Sequence, residues 1–160
     1  MKTWKEDISQ HPDDGVINFL MANKLITCHE ELGVELTGVV LRYLGKAENK
    51  GIDPLGINAL RGDYYFEMKE WKKAEKYFPR YLRREYNEDI ALKYAATLHE
   101  LQRHDDLCEV IYAMSENGSA YAKQLMNEYP SCFIEAWWEL RAGIIPGPQL
   151  TKTKKQNEYK

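Results

Sequence analysis

Histidine and cysteine side chains in the second half of the chain are the residues best suited to metal chemistry. His104 and Cys108 are four positions apart, so a helix that contains both places them on one face, and His99 lies shortly before them. However, a turn between helices is expected near 103–106, and no fourth ligand stands out. We therefore interpret Cys108 as a buried packing residue, and we predict no metal site and no cofactor.

Motifs for catalysis are not found in the sequence. The acidic pairs Asp13-Asp14, Glu30-Glu31 and Asp105-Asp106 each lie at a predicted helix start, where carboxylates cap free N–H groups. The glycines are too widely spaced to cradle a phosphate, and no Gly-x-Ser-x-Gly sequence occurs. We therefore predict that the chain is not an enzyme and has no catalytic residues.

A basic segment between positions 69 and 84 raises the alternative of nucleic-acid binding. Its basic residues are Lys69, Lys72, Lys73, Lys76, Arg80, Arg83 and Arg84, and aromatic residues are interleaved with them. Such segments bind single strands through phosphate contacts and base stacking. Here the aromatics fall on the packing stripe of a predicted helix, so a solvated outer face is the favoured interpretation. Salt-dependent binding that weakens when Lys72, Lys73 and Arg83 are neutralised would support the alternative.

Composition indicates an ordinary globular chain with an uneven charge distribution. The 160 residues are 44% apolar and 29% charged, which suits a single domain over 1–143. Residues 53–85 carry 8 Lys/Arg and 6 Asp/Glu, whereas 86–143 carry 4 and 10. This polarity favours a charged protein partner or self-association into a homodimer.

The three cysteines, Cys28, Cys108 and Cys132, are odd in number and far apart. The polar start Met1-Lys-Thr-Trp-Lys-Glu-Asp7 does not resemble a signal peptide, so we expect reduced thiols in a cytoplasmic protein. The apolar runs are much shorter than the roughly 20 residues that span a bilayer, and we therefore expect no transmembrane anchor.

Hydrophobic periodicity predicts an all-α fold of about seven to eight helices. A short segment around Trp4 and Ile8 stops at Pro12. The following predicted helices cover 14–28, 30–47, 53–68, 70–85, 89–102, 105–115, 119–129 and 131–142, with a loop at 45–51. Pro79 should kink its helix, or break it so that the helix restarts. The polar, basic tail 144–160 is predicted to be disordered.

One stretch indicates two helices that pack very closely. Gly62, Tyr65, Trp71, Ala74 and Phe78 stand at offsets 0, 3, 9, 12 and 16. The glycine and the alanine allow close approach at the crossing, and the aromatics close its sides. This pattern resembles a tetratricopeptide (TPR) repeat whose first position is Leu55.

A second, weaker match begins 34 residues later at Asp89, with Leu92, Ala96, Cys108 and Tyr112 in the expected positions. The chain departs from the pattern at Tyr81, where a small residue is usual, and at Tyr86, where proline is usual. The resemblance covers about 50–115 and implies an array of antiparallel helix pairs, an alpha-alpha superhelix.

The resemblance also implies a concave groove for a partner's peptide segment. The family's groove positions correspond to Ala59, Asp63, Phe66 and Glu67 in the central repeat, and to Lys93, Thr97, Glu100 and Leu101 in the next one. TPR domains that grip the C-terminal carboxylates of heat-shock chaperones have lysine and asparagine where this chain has Ala59 and Asp63, which disfavours that partner.

The resemblance therefore predicts a protein–protein interaction module that holds an extended segment or a helix of its partner. The chain is an adaptor, or it is a small secretion or assembly chaperone, which would co-purify with its client and suppress the client's aggregation. Nucleic-acid binding through the 69–84 segment is the alternative.

Overall fold

The computed structural model describes residues 4–133, and these residues form only helices, turns and loops. This confirms the predicted all-α class. The helices are α1 (Trp4–Gln10), α2 (Gly15–Cys28), α3 (Val39–Asn49), α4 (Pro54–Glu67), α5 (Trp71–Ala74), α6 (Phe78–Leu82), α7 (Glu88–Glu100), α8 (His104–Glu116) and α9 (Ala122–Glu128), followed by a 3₁₀ turn at Pro130–Phe133.

The helix predicted over 30–47 is wrong at both ends. Residues 29–38 form turns and a loop, because Gly33 has a φ of +60° that a right-handed helix does not allow. Leu36 in this loop is nevertheless buried, which explains why the apolar spacing resembled a helix. The predicted loop at 45–51 is also wrong over its first part, since α3 continues to Asn49.

The predicted interruption at Pro79 is confirmed. Helix α5 ends at Ala74, residues 75–77 form a turn, and α6 restarts at Phe78. Pro79 is thereby the second residue of α6, where its missing N–H removes no helical hydrogen bond. The single helix predicted over 70–85 is therefore divided into α5 and α6, and Pro79 does not lie in the interior of either.

The C-terminal predictions are only partly within the described residues. The helix predicted over 119–129 is shorter than expected, running from Ala122 to Glu128. Of the helix predicted over 131–142, residues 131–133 belong to the 3₁₀ turn, and the remainder lies outside the described residues. The predicted tail 144–160 also lies outside them.

The chain divides into two compact units, with the boundary between Tyr77 and Phe78. We call them the N-terminal unit and the C-terminal unit. The boundary falls in the middle of the predicted repeat helix 70–85, at the turn between α5 and α6. The single domain over 1–143 stays a prediction.

The core of the N-terminal unit is built by α2, α3 and α4. Val40, Leu44 and Ala47 of α3 are fully buried, together with Ala22 of α2 and Ile57 of α4. Burial of apolar side chains such as these contributes about 1.5–3 kcal/mol for each large residue. These contacts hold α2 against α3, and the α2 surface described below is positioned by them.

Two glycines of the N-terminal unit occupy opposite environments and give a matched test of this packing. A Cβ on Gly15, the first residue of α2, would lie 2.7 Å from Cβ of Lys50. A Cβ on Gly45, inside α3, would meet nothing within 4 Å.

We expect Gly15→Ala to lower the free energy of unfolding by about 1 kcal/mol through overpacking. Gly45→Ala should raise it by about 0.5–1 kcal/mol, because alanine is the better helix former. Urea unfolding of both variants measures this, and equal effects of the same sign would contradict the packing of α2 on α3.

The sequence predicts that α4 and α5 cross closely at Gly62 and Ala74, which requires both residues to be buried. Gly62 of α4 and Ala74 of α5 are both buried, and these two helices pack against each other. Aromatic pairs join the same segments: the rings of Tyr65 and Tyr77 stack with centroids 5.7 Å apart. The other pair is Phe66 with Trp71, edge to face at 5.5 Å.

Local features of α4–α5 recur in α7–α8 after 33 or 34 residues. The side chains of Asp53 and Asn87 accept capping hydrogen bonds at the starts of α4 and α7. In the turns that follow, Lys69 and Gln102 take left-handed φ angles of 55° and 57°. Such angles are uncommon outside glycine. The two segments therefore share a capped helix start and a left-handed turn residue at this interval, while the TPR relationship itself stays a prediction.

The C-terminal unit contains a disulfide that the sequence analysis did not expect. Cys108 of α8 is bonded to Cys132 of the 3₁₀ turn, with their Cα atoms 5.0 Å apart. Both residues are fully buried beside a core that includes Leu107, Ile111 and Met114. The expectation of reduced thiols is therefore wrong for this pair. The turn after α9 places Cys132 on α8, which spacing along the chain does not show.

Candidate functional site

The predicted groove residues of the N-terminal unit lie on α4. Ala59, Asp63 and Phe66 are half-buried, and Glu67, the last residue of the helix, is exposed. The Phe66 ring packs edge to face on Trp71 of α5, so part of its surface is used within the unit. All four residues retain some accessible surface.

The predicted groove residues of the C-terminal unit lie on α7 and directly after it. Thr97 is fully buried, and its hydroxyl donates to the Lys93 carbonyl at 2.8 Å, so it offers no surface to a partner. Lys93 is half-buried, with its Nζ 3.0 Å from a carboxylate oxygen of Asp89. Glu100 is exposed and Leu101 is half-buried. Only three of these four positions can therefore contact a ligand.

In the basic segment 69–84 the basic side chains are exposed, whereas aromatic side chains pack against other residues of the fold. Lys69, Lys72, Lys73, Lys76, Arg80, Arg83 and Arg84 are all exposed. Tyr77 stacks on Tyr65, Trp71 packs on Phe66, and Phe78 is fully buried. Lys73 forms an ion pair with Glu70 and also lies over the Tyr65 ring. These ring contacts leave little aromatic surface for bases to stack on.

A separate apolar groove runs along α2 in the N-terminal unit, and we call it the α2 groove. Its volume is about 390 Å³, and it is lined by Asp7, Ile17, Leu20, Met21, Asn23, Lys24, Thr27 and Cys28. Leu20 is 55% exposed although it lies one helical turn after the groove residue Ile17 and next to the buried Met21. Val16, one turn earlier, is 56% exposed. Helix α2 therefore presents apolar side chains on a wider arc than its core contacts use.

Cys28 lies at one end of the α2 groove and is the chain's free cysteine. Its Sγ is 3.5 Å from the Thr27 hydroxyl and 3.3 Å from the Lys24 ammonium. These two hydrogen bonds, with the positive charge of Lys24, lower the pKa of the Cys28 thiol. The thiolate form is therefore more accessible than in an ordinary cysteine.

A second group of polar side chains lies where α7, α8 and the segment after α9 meet. The Tyr129 hydroxyl and His99 Nδ1 are hydrogen-bonded at 2.7 Å, and the Ser131 hydroxyl is 2.9 Å from His104 Nε2. Burial, and secondarily the charge of Glu128, raise the pKa of Tyr129. Two adjacent clefts of about 290 and 300 Å³ share His99, Leu107 and Tyr129 in their walls.

The disulfide is next to this group. One ligand atom from each of His104, Cys108 and Cys132 lies within 4.8 Å of the other two. Helical spacing relates His104 to Cys108, but it gives no relation of either residue to Cys132. No periodic signal could have added it, because the pairing depends on the path of the chain through α9 and the 3₁₀ turn.

Comparisons of the chain with protein-family models, with curated proteins and with solved structures found no match. Within the part of the chain that the structure describes, none of the helices combines the length and apolarity that a bilayer crossing requires.

Proposed function

We propose that the chain is a protein-interaction module whose N-terminal unit binds an apolar helix or extended segment of a partner in the α2 groove. The observation that carries this proposal is the exposure of Leu20 beside Ile17 and Met21 in a groove with apolar walls. Apolar side chains gathered in a concave groove, rather than scattered singly over the surface, are typical of binding sites. Covering it would stabilise the complex by the hydrophobic effect.

The groove's composition fits a protein segment better than a nucleic acid. Its walls are mostly hydrophobic, and its charged members, Asp7 and Lys24, have opposite signs. An amphipathic helix places apolar residues at i, i+3, i+4 and i+7 into such a groove. The charges would then contact the polar rim of the partner, as is usual at interfaces.

The groove positions inferred from the TPR resemblance, four in each unit, remain a second hypothesis for contact surfaces. Of these eight residues, all except Thr97 keep accessible surface. The carboxylates of Asp63, Glu67 and Glu100 would favour a basic or apolar segment. Substitutions in the α2 groove would leave those surfaces intact, so the two hypotheses can be separated by mutation.

A client-specific chaperone and a general adaptor are two forms of the same proposal. A chaperone would mask a hydrophobic segment of its client, which matches an open apolar groove. It should keep the client soluble in light-scattering assays, whereas an adaptor should not. We also propose a cytoplasmic location, and because that compartment keeps thiols reduced, Cys108 and Cys132 would be in their dithiol form there.

A charge placed in the α2 groove should disrupt binding. Leu20 is 55% exposed, so Leu20→Asp removes apolar surface that the partner would cover. It also places a carboxylate in the groove, where the partner would have to bury it. We expect the Kd for the partner segment to rise at least about tenfold, equivalent to about 1.4 kcal/mol. Leu32→Asp is the matched control, since Leu32 is 37% exposed but does not line the groove.

Cys28 allows the partner to be found and the prediction to be measured. It is the chain's free thiol when Cys108 and Cys132 are bonded, so a short photo-crosslinker can be attached to it alone. A partner captured by the wild type and by Leu32→Asp, but not by Leu20→Asp, would support the α2 groove. The Kd of the captured segment is then measured with unlabelled protein. Equal capture or equal affinity for all three chains would contradict the proposal.

A further inference from the structure

We propose that reduction of the Cys108–Cys132 disulfide creates a Zn²⁺ site formed by the two thiolates and the His104 imidazole. These three residues bring their ligand atoms within 4.8 Å of one another. Thiolate and imidazole are the ligands that Zn²⁺ binds most often in proteins, at about 2.0–2.3 Å. The proposal does not depend on the α2 groove, which belongs to the other unit.

The positions of the ligands suit chelation by two chain segments. His104 is the first residue of α8 and Cys108 is one turn further along, so both point from one helical face. Cys132 comes from the 3₁₀ turn. An ion bound here would connect α8 to that turn, which is the same connection that the disulfide makes.

The three proposed ligands differ in their exposure to solvent. Both cysteines are fully buried, whereas His104 is exposed. The sulfur atoms are thus shielded from solvent, and the imidazole lies on the solvent side of the site. The Ser131 hydroxyl holds His104 Nε2 at 2.9 Å, and metal binding through Nδ1 would keep this outer hydrogen bond.

Three protein ligands leave one position of a tetrahedral Zn²⁺ ion for water or for another donor. The cleft lined by His99, His104 and Tyr129 is adjacent. The site would therefore be open on one side, unlike a fully closed structural site.

A thiol reductant can convert the disulfide form into the Zn²⁺-binding form, and the atoms and electrons of this conversion balance. Two reductant thiols reduce the disulfide, giving two cysteine thiols and one reductant disulfide. Binding of Zn²⁺ then releases the two thiol protons and forms two Zn–S bonds. In a reducing compartment the metal form would be favoured, and in an oxidising one the disulfide. The same pair of residues would join α8 to the turn in both.

Cobalt is the probe for this site, because Co²⁺ bound by thiolates gives visible absorption that Zn²⁺ does not. The full-length chain is reduced with a phosphine, which is then removed without oxygen, and Co²⁺ is added. We expect binding of one Co²⁺ per reduced chain with a thiolate charge-transfer band, and no such band with the oxidised chain. Added Zn²⁺ should displace the Co²⁺ and abolish the band.

His104→Asn tests the ligand set with little risk to folding, since His104 is exposed. We expect it to weaken Zn²⁺ binding at least about tenfold, because loss of an outer-shell partner alone costs about 10–100-fold. His11→Asn and Cys28→Ser are matched controls in the N-terminal unit, and both should bind like the wild type. Equal affinity of His104→Asn and wild type would overturn the proposal.

Circular dichroism keeps the result interpretable if reduction unfolds the C-terminal unit. Recovery of helical signal when Zn²⁺ is added to the reduced chain, and weaker recovery for His104→Asn, would support the site. A reduced chain that stays folded without a charge-transfer band would overturn it. Failure of Zn²⁺ to restore an unfolded chain would overturn it as well.

Discussion

Reduction of the Cys108–Cys132 disulfide in the presence of a metal chelator should lower the free energy of unfolding by about 3 kcal/mol. The bond joins residues 24 positions apart, and closing a loop of this size removes conformational entropy from the unfolded chain. Native disulfides of small domains typically contribute about 2–5 kcal/mol. Urea unfolding followed by circular dichroism, before and after reduction, measures the difference.

Two controls assign this loss to the Cys108–Cys132 bond. Cys28→Ser should show the same loss on reduction, because Cys28 is not bonded. Cys132→Ser should have the lower stability already before reduction, with no further change when reductant is added. An oxidised wild type with the same urea midpoint as the reduced chain would show that the bond does not stabilise the fold.

Helix starts that carry a capping side chain were the most predictable part of the fold, because they depend on local chemistry, whereas the acidic pair Glu30-Glu31 lies in a turn and starts no helix. Asp14, Asp53 and Asn87 each cap a helix through a side-chain oxygen, and each lies where the sequence places a helix start. Pro79 likewise acts through its own ring and missing N–H. A few adjacent residues determine such features, so reading them does not require the tertiary structure.

The loop before α3 shows where local reasoning fails. Leu32 and Leu36 have helical spacing, yet only Leu36 is buried, and Gly33 reverses the backbone between them. A hydrophobic period reports which side chains avoid water, and it does not report whether a helix or a folded loop achieves this. Tertiary burial of Leu36 decided the conformation.

The candidate sites were less predictable because each depends on which surface a neighbouring segment covers. Leu20 belongs to the apolar stripe of α2 by spacing, but it is left 55% exposed. Cys132 joins His104 and Cys108 only because the chain after α9 places it on α8. Thr97 is at a groove position only by the TPR resemblance, and it is buried. Sequence spacing assigns a residue to a helical face, whereas packing decides whether that face meets solvent.

Replacing Ala74 by leucine should lower the free energy of unfolding by about 2–3 kcal/mol. Ala74 is 0% exposed on α5, a helix of only four residues that packs on α4. Three additional carbons in a filled site force neighbouring side chains or the backbone to move, which costs about 1–3 kcal/mol. Ala74 is completely buried, so little free space is left for these carbons, and we expect the upper part of this range.

Ala96→Leu is the matched control for this effect, since Ala96 is exposed on α7 and leucine is nearly as good a helix former as alanine. The two variants add the same atoms and differ only in whether those atoms meet packed neighbours or water. Urea unfolding should therefore separate them by at least about 1.5 kcal/mol, a fraction of the overpacking cost. If Ala74→Leu unfolded at the same urea concentration as Ala96→Leu, the crossing of α4 and α5 would have room for a large side chain. The close packing that the spacing of Gly62 and Ala74 predicts would then be wrong, and the inferred groove on α4 would lose its structural support.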